Sequence, residues 1–241
     1  MHTPENETTA RDGADAGRDE RHARHVGDLG TSPGFQRLRD EIIARAAPTK
    51  GERVLDVGAG STGLLALAAA PDAEHVTAVD FSPAVCRMLE QRAKDLQLEN
   101  VSVLVGDARK LPLPDNSVDV ALSNYCLHHV NDTEKLVALG ELARVLKPGG
   151  RLVFGDMMFR VGIRTSRDRR VVAKFALGML RRGPAGVVRL LRNVVKTFVA
   201  PSEMPASVEW WDQALRSSGF TDVKVEALEH EGGIAYARWP S

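Results

Sequence analysis

Val54-Leu55-Asp56-Val57-Gly58-Ala59-Gly60-Ser61-Thr62-Gly63 is a short apolar run that reaches an aspartate and passes at once into a glycine-rich turn. Leu64 to Ala70 follows, a strong helix former. Strand, tight turn and helix start, in that order, are how α/β proteins build a nucleotide pocket. Glycine serves there because the backbone must bend sharply and approach a ligand closely, and a Cβ obstructs both. Gly58-x-Gly60-x-x-Gly63 matches the dinucleotide fingerprint. Asp80, twenty residues after Gly60, ends a second apolar run, His75–Val79, where an acid can hold ribose hydroxyls.

Outward from this stretch the same unit repeats. A third apolar run, Val101–Val105, ends in Gly106-Asp107-Ala108. A fourth, Val118–Leu122, ends in Ser123-Asn124-Tyr125-Cys126-Leu127-His128-His129-Val130. A helix then closes on Lys147-Pro148-Gly149-Gly150, and Arg151–Asp156 reads as the fifth strand. Strands alternating with helices imply a parallel sheet covered on both faces. Ligands of such sheets bind at the carboxyl ends of the strands, at the switch in strand order. Gly58, Asp80, Asp107 and Asn124 all fall at such ends.

These motifs, taken in order, resemble those of the class I S-adenosylmethionine-dependent methyltransferases. The resemblance covers about residues 35–157, and Trp210–Arg238 looks like that family's last helix and closing strands. One departure stands: the family's usual turn is Gly-x-Gly-x-Gly, and here the third glycine comes one residue late. The resemblance implies a doubly wound, Rossmann-like sheet of seven strands, mostly parallel with an antiparallel closing strand, and S-adenosyl-L-methionine as cofactor. It implies that Gly58 and Gly60 pass close to the cofactor's amino acid end, with Asp56 supporting that end or the turn. Asp80 would accept from the ribose hydroxyls, and Phe81 would pack on adenine. Asp107 would accept from the adenine amino group with the Ala108 amide nearby, and Asn124 would sit beside the sulfonium. Each has a plainer alternative: Asp56 and Asp107 as turn residues, Asp80 as a helix cap and Phe81 as core. Ser82 is the better cap candidate for the helix starting at Pro83.

Methyl transfer from a sulfonium needs a positioned nucleophile and exclusion of water. A base is needed only when the nucleophile arrives protonated. His128 and His129 follow the fourth strand and are the candidates for it. The acceptor reads as a small molecule, anionic or lipid-like. Exocyclic base methylation is disfavoured, because the proline pair of that branch is absent after Ser123-Asn124.

The chain has 241 residues, 43% of them hydrophobic, enough for one globular core. The 32 basic and 32 acidic residues balance, so no global charge draws it to nucleic acid. Two cysteines give no disulfide framework, and no metal-ligand cluster stands out. The absence of an apolar signal core or a run of eighteen apolar residues leads to the expectation of a cytoplasmic protein. Residues 1–30 are polar and read as a disordered tail; 31–241 read as the methyltransferase domain. Pro33–Ala47 is an amphipathic helix by its spacing of Phe35, Leu38, Ile42 and Ile43.

Residues 157–206 interrupt the alternation and read as a helical cap inserted over the substrate side. Eleven basic residues between Arg160 and Lys196 mark a solvated face, an anionic pocket or a membrane-surface contact. Two other functions fit parts of the chain. One is an NAD(P)-dependent oxidoreductase, from the glycine spacing and Asp80. The other is a non-catalytic cofactor-binding or RNA-binding protein using the basic 160–196 segment. Oligomeric state is not written in the sequence.

Overall fold

The computed structural model of the chain describes residues 33–158, 177, 204–228 and 232–241. The expected disordered tail and almost all of the expected helical cap therefore lie outside the described residues.

Seven strands form one sheet. β1 (Arg53–Val57), β2 (His75–Asp80), β3 (Val101–Val105), β4 (Val118–Asn124), β5 (Leu146–Met157), β6 (Thr221–Ala227) and β7 (Gly232–Arg238) lie in the order β3-β2-β1-β4-β5-β7-β6. β1 pairs in parallel with β2 on one side and β4 on the other, so Asp56 lies level with both Ala78 and Leu122. The chain works outward from β1 in one direction and then restarts at β4, which opens a crevice at the carboxyl ends of β1 and β4. β7 runs antiparallel between β5 and β6 and closes the sheet.

The inner strands β1, β2 and β4 are largely apolar because helices cover both faces, whereas β6 at the edge alternates polar and apolar residues. One face packs α1 (Pro33–Ala46), α2 (Leu64–Ala69) and α3 (Pro83–Asp95) through Leu38, Ile42, Leu65 and Leu89. The other packs α4 (Asp132–Val145) and α5 (Val208–Ser217) through Leu139, Leu142, Trp211 and Leu215. Trp211 is fully buried with its ring edge on Phe154, centroids 4.8 Å apart. Local signals set the helix starts. Ser82 Oγ accepts from Val85 N at 3.2 Å, so Ser82 and not Asp80 caps α3 by its side chain. Asn131 and Glu134 form a reciprocal capping box at α4, and Ser207 caps α5.

Two features fix how α1 and β5 sit. A Cβ on Gly155 would stand 2.8 Å from three carbons of Leu38, so glycine lets α1 lie down on β5. Arg151 donates to both Glu52 oxygens at 2.7 and 2.8 Å and to the carbonyls of Ala46 and Ala47, which ties off the α1 C-terminus. β5 begins at Leu146, five residues before the start expected from its apolar run. Lys147-Pro148-Gly149-Gly150 joins the strand because Lys147 pairs with Asp119 at 2.8 Å and the Gly149 amide donates to Trp239 O. Among the described residues no helix is long and apolar enough to cross a membrane.

Candidate functional site

The crevice is built from strand ends. β1 leaves the sheet through Gly58, whose amide and that of Ala59 both donate to Val79 O, at 2.8 and 3.1 Å. Gly58, Gly60 and Gly63 all take positive φ, at 70°, 65° and 57°. The late third glycine thus has a use: Gly63 caps α2 in the left-handed conformation, and a Cβ there would meet Leu89 at 2.2 Å.

Asp56 is buried under the turn, and its Oδ2 accepts from Ala66 N at 2.9 Å. Burial pushes its carboxyl up to about 7; the Ala66 amide partly offsets this, and the charge of Asp80 adds to it. Asp80 reaches across from β2 to accept from Gly60 N through Oδ2 and from Ser82 N through Oδ1, both at 3.0 Å. The acid expected at the ribose therefore also holds the glycine turn closed. Phe81 is 73% exposed, which removes the plain-core alternative for it.

Asp107 follows β3. Its Oδ1 accepts from the Arg109 amide at 2.8 Å and from Arg109 Nε at 2.9 Å. This guanidinium holds the carboxyl below its ordinary range. Arg109 also pairs with Glu134 at the start of α4. Ala108 is partly buried against the core beneath. Asn124 ends β4 opposite Gly155, and its Oδ1 is buried with no hydrogen-bond partner among the described residues.

The two histidines part company. His128 is buried, 5% exposed, and its Nδ1 lies 2.6 Å from Oδ1 of Asp156 at the end of β5. His129 is exposed, with its ring centroid 4.1 Å from that of His128. Tyr125, at φ 51°, turns its ring onto Phe35 of α1, stacked at 4.5 Å, and presents an edge to His128. The chain re-entering at Met204 is held at both ends of that residue. Its amide donates to His128 O at 2.6 Å, and its carbonyl accepts from the buried Lys135 Nζ at 2.6 Å.

Sequence reading left Asp156 without a role. The available signal was its position: it ends β5 as Asp80 ends β2, on the same rim of the sheet. Its charge matters there. Burial first, then the carboxylates of Asp156, Asp80 and Asp56, push the Cys126 thiol well above its ordinary range. Three acids at the strand ends therefore act on one partly buried thiol. A cationic ligand suits that field, a glycine turn suits close backbone approach, and the unpartnered Asn124 Oδ1 offers an acceptor.

A family model described as a methyltransferase domain matches residues 55–154. Demethylmenaquinone methyltransferase of Tropheryma whipplei (strain Twist) is 36% identical over 212 residues, covering 83% of this chain and 81% of that protein. Among solved structures, the YcgJ protein of Bacillus subtilis is 25% identical at a TM-score of 0.59, over 78% of this chain and 70% of that one. A SAM-dependent methyltransferase from Aquifex aeolicus shares the fold at a TM-score of 0.63 and 21% identity, over 90% of this chain and 98% of that one.

Proposed function

Given that the chain belongs to the class I S-adenosylmethionine-dependent methyltransferases, we propose that it methylates a small, lipid-like acceptor of the quinol kind. The observation that carries this reading is the long match to a relative named for demethylmenaquinone, which covers 83% of this chain and 81% of that protein. The aromatic wall of Phe35 and Tyr125 beside His128 supports it, since stacked rings favour a planar apolar acceptor. The nicotinamide and RNA-binding alternatives find no support in the comparisons.

We assign the cofactor's contacts to the residues at the strand ends. Gly58 and Gly60, with Asp56 behind them, would take the amino acid end. Asp80 would take the ribose hydroxyls, Phe81 the adenine face, and Asp107 with the Ala108 amide the adenine edge. Asn124 would lie beside the sulfonium. S-adenosylmethionine supplies an electrophilic methyl group on a good leaving group. The chain's own tasks are then to hold the acceptor in line, to exclude water and to accept a proton. Of the two histidines His128 suits the last task, being enclosed and fixed, whereas His129 faces outward. Both cysteines are free thiols, which agrees with a reducing, cytoplasmic setting.

Parallel calorimetric titrations with S-adenosylmethionine, S-adenosylhomocysteine and NAD(H) test the cofactor, and binding of the first two alone is expected. Incubation with S-adenosylmethionine and a short-chain demethylmenaquinol tests the acceptor. Absence of a methylated product, under conditions where the cofactor binds, would remove the quinol reading.

A further inference from the structure

We propose that Asp156 is a positioning residue that orients His128 as a proton acceptor, and that the pair serves an acceptor group which arrives protonated, a ring hydroxyl or the carbon beside it. This rests on the methyl-transfer reading above and assigns its proton.

The geometry begins with two buried side chains. His128 Nδ1 and Asp156 Oδ1 are 2.6 Å apart, with His128 5% and Asp156 1% exposed. A carboxylate that close accepts the Nδ1 proton, so the neutral ring keeps its lone pair on Nε2. The ring has little freedom to leave that orientation. Tyr125 meets its side, His129 lies against it, and the His128 carbonyl is bonded to the Met204 amide.

Asp156 is poorly accounted for as a structural group. Its Oδ1 also accepts from the neighbouring Met157 amide at 2.7 Å, but its buried Oδ2 has no partner among the described residues. A half-satisfied buried carboxylate is unfavourable, and a sheet end needing only shape would be better served by an apolar residue. An acid that stabilises a transient imidazolium accounts for it. Among the described residues, His129 and Tyr125 also lie against the ring, and Asp80 and Asp56 act on the Cys126 thiol as Asp156 does.

The proton balance follows. As the acceptor atom's bond to methyl forms, the O–H bond breaks and its proton passes to His128 Nε2, while the electron pair of the broken methyl–sulfur bond stays on sulfur. Where the neighbouring ring carbon takes the methyl, the ring oxygen is left as a carbonyl; that carbon's hydrogen then leaves to solvent as a proton, and His128 returns its proton to the oxygen to restore the hydroxyl. An amine acceptor with a free lone pair would need no such partner.

The test uses the full chain labelled with 15N-histidine. Long-range 1H–15N correlation near pH 8, assigned with His128→Gln, is expected to show wild-type His128 as the single Nδ1–H tautomer. Asp156→Asn is expected to give a mixture or the opposite tautomer. With short-chain demethylmenaquinol, Asp156→Asn is expected to lower kcat by roughly 100-fold and to leave the KM for S-adenosylmethionine essentially unchanged. An Nε2–H or mixed tautomer in the wild type overturns the proposal, and so does a kcat that survives Asp156→Asn. If the wild type shows the expected tautomer but does not turn over the quinol, the positioning role stands and the acceptor in the preceding subsection falls. The tautomer is read on the wild type, so poor folding of Asp156→Asn does not shelter the idea.

Discussion

A Cβ placed on Gly58 would stand 2.3 Å from Cys126 Sγ and 2.5 Å from Cys126 Cβ. The turn after β1 and the loop after β4 touch with no room for a methyl group between them. Gly58→Ala is expected to destabilise the protein by about 2–4 kcal/mol. That figure combines left-handed strain with overpacking. In Gly58→Ala/Cys126→Gly the overpacking is relieved and the strain at φ 70° remains. Thermal melts of the single and double variants should therefore show partial rescue, with a coupling of about 1–3 kcal/mol. Strict additivity would mean that the two loops do not meet.

Asp80→Ala should weaken S-adenosylmethionine binding by roughly 1.5–3 kcal/mol, the scale of a hydrogen bond to a charged group. It should also lower the melting temperature without cofactor, because the amides of Gly60 and Ser82 lose their acceptor. Calorimetry and melting read the two effects separately. Unchanged affinity alongside a lowered melting point would leave Asp80 as a turn clamp only.

Asp56 makes stability depend on pH in an unusual direction. Its folded carboxyl titrates at about 7, against an ordinary value of about 4. Between those values the unfolded chain has already released a proton that the folded chain still holds, so this group's contribution falls as pH rises through the window and is level above it. Asp56→Asn keeps an acceptor for the Ala66 amide and removes the titration. Its stability relative to wild type should be greater at pH 8 than at pH 4, by an amount on the order of 3 kcal/mol. Chemical denaturation at the two pH values would show it, and a constant difference would argue against a buried proton.

Glu52 works the other way. Its two hydrogen bonds from Arg151 hold its carboxyl down at about 2. The stability it brings is fully present above the ordinary glutamate range and is lost as pH falls toward 2. Glu52→Gln should therefore destabilise the protein at pH 7 by roughly 1–2 kcal/mol and make little difference near pH 2. The loss should be felt at the α1 C-terminus, which Arg151 also holds, and amide exchange at Ala46 and Ala47 would report it.

Much of the sheet could be read from the chain because β1, β2 and β3 are short apolar runs that end at a glycine or an acid, and α3, α4 and α5 carry side-chain caps. Ser82 and Ser207 needed no tertiary information. The β5 start at Leu146 did, since a Lys-Pro-Gly-Gly stretch has no strand signature and is extended only through partners in β4 and the C-terminal residues. The same holds within the site. The positions of Asp56, Asp80 and Asn124 follow from strand ends, but the division between a buried His128 and an exposed His129 depends on which ring meets Asp156. That acid is twenty-eight residues away in sequence, and no local pattern ties it to its partner.

The two bonds at Met204 fasten the chain that leads into α5 to the loop after β4, through the His128 carbonyl, and to Lys135 of α4. Replacement of the segment before Met204, with Met204, His128 and Lys135 kept, is expected to leave those two bonds in place. Met204 is thus a natural point at which to graft the corresponding segment of a relative and ask whether acceptor choice travels with it.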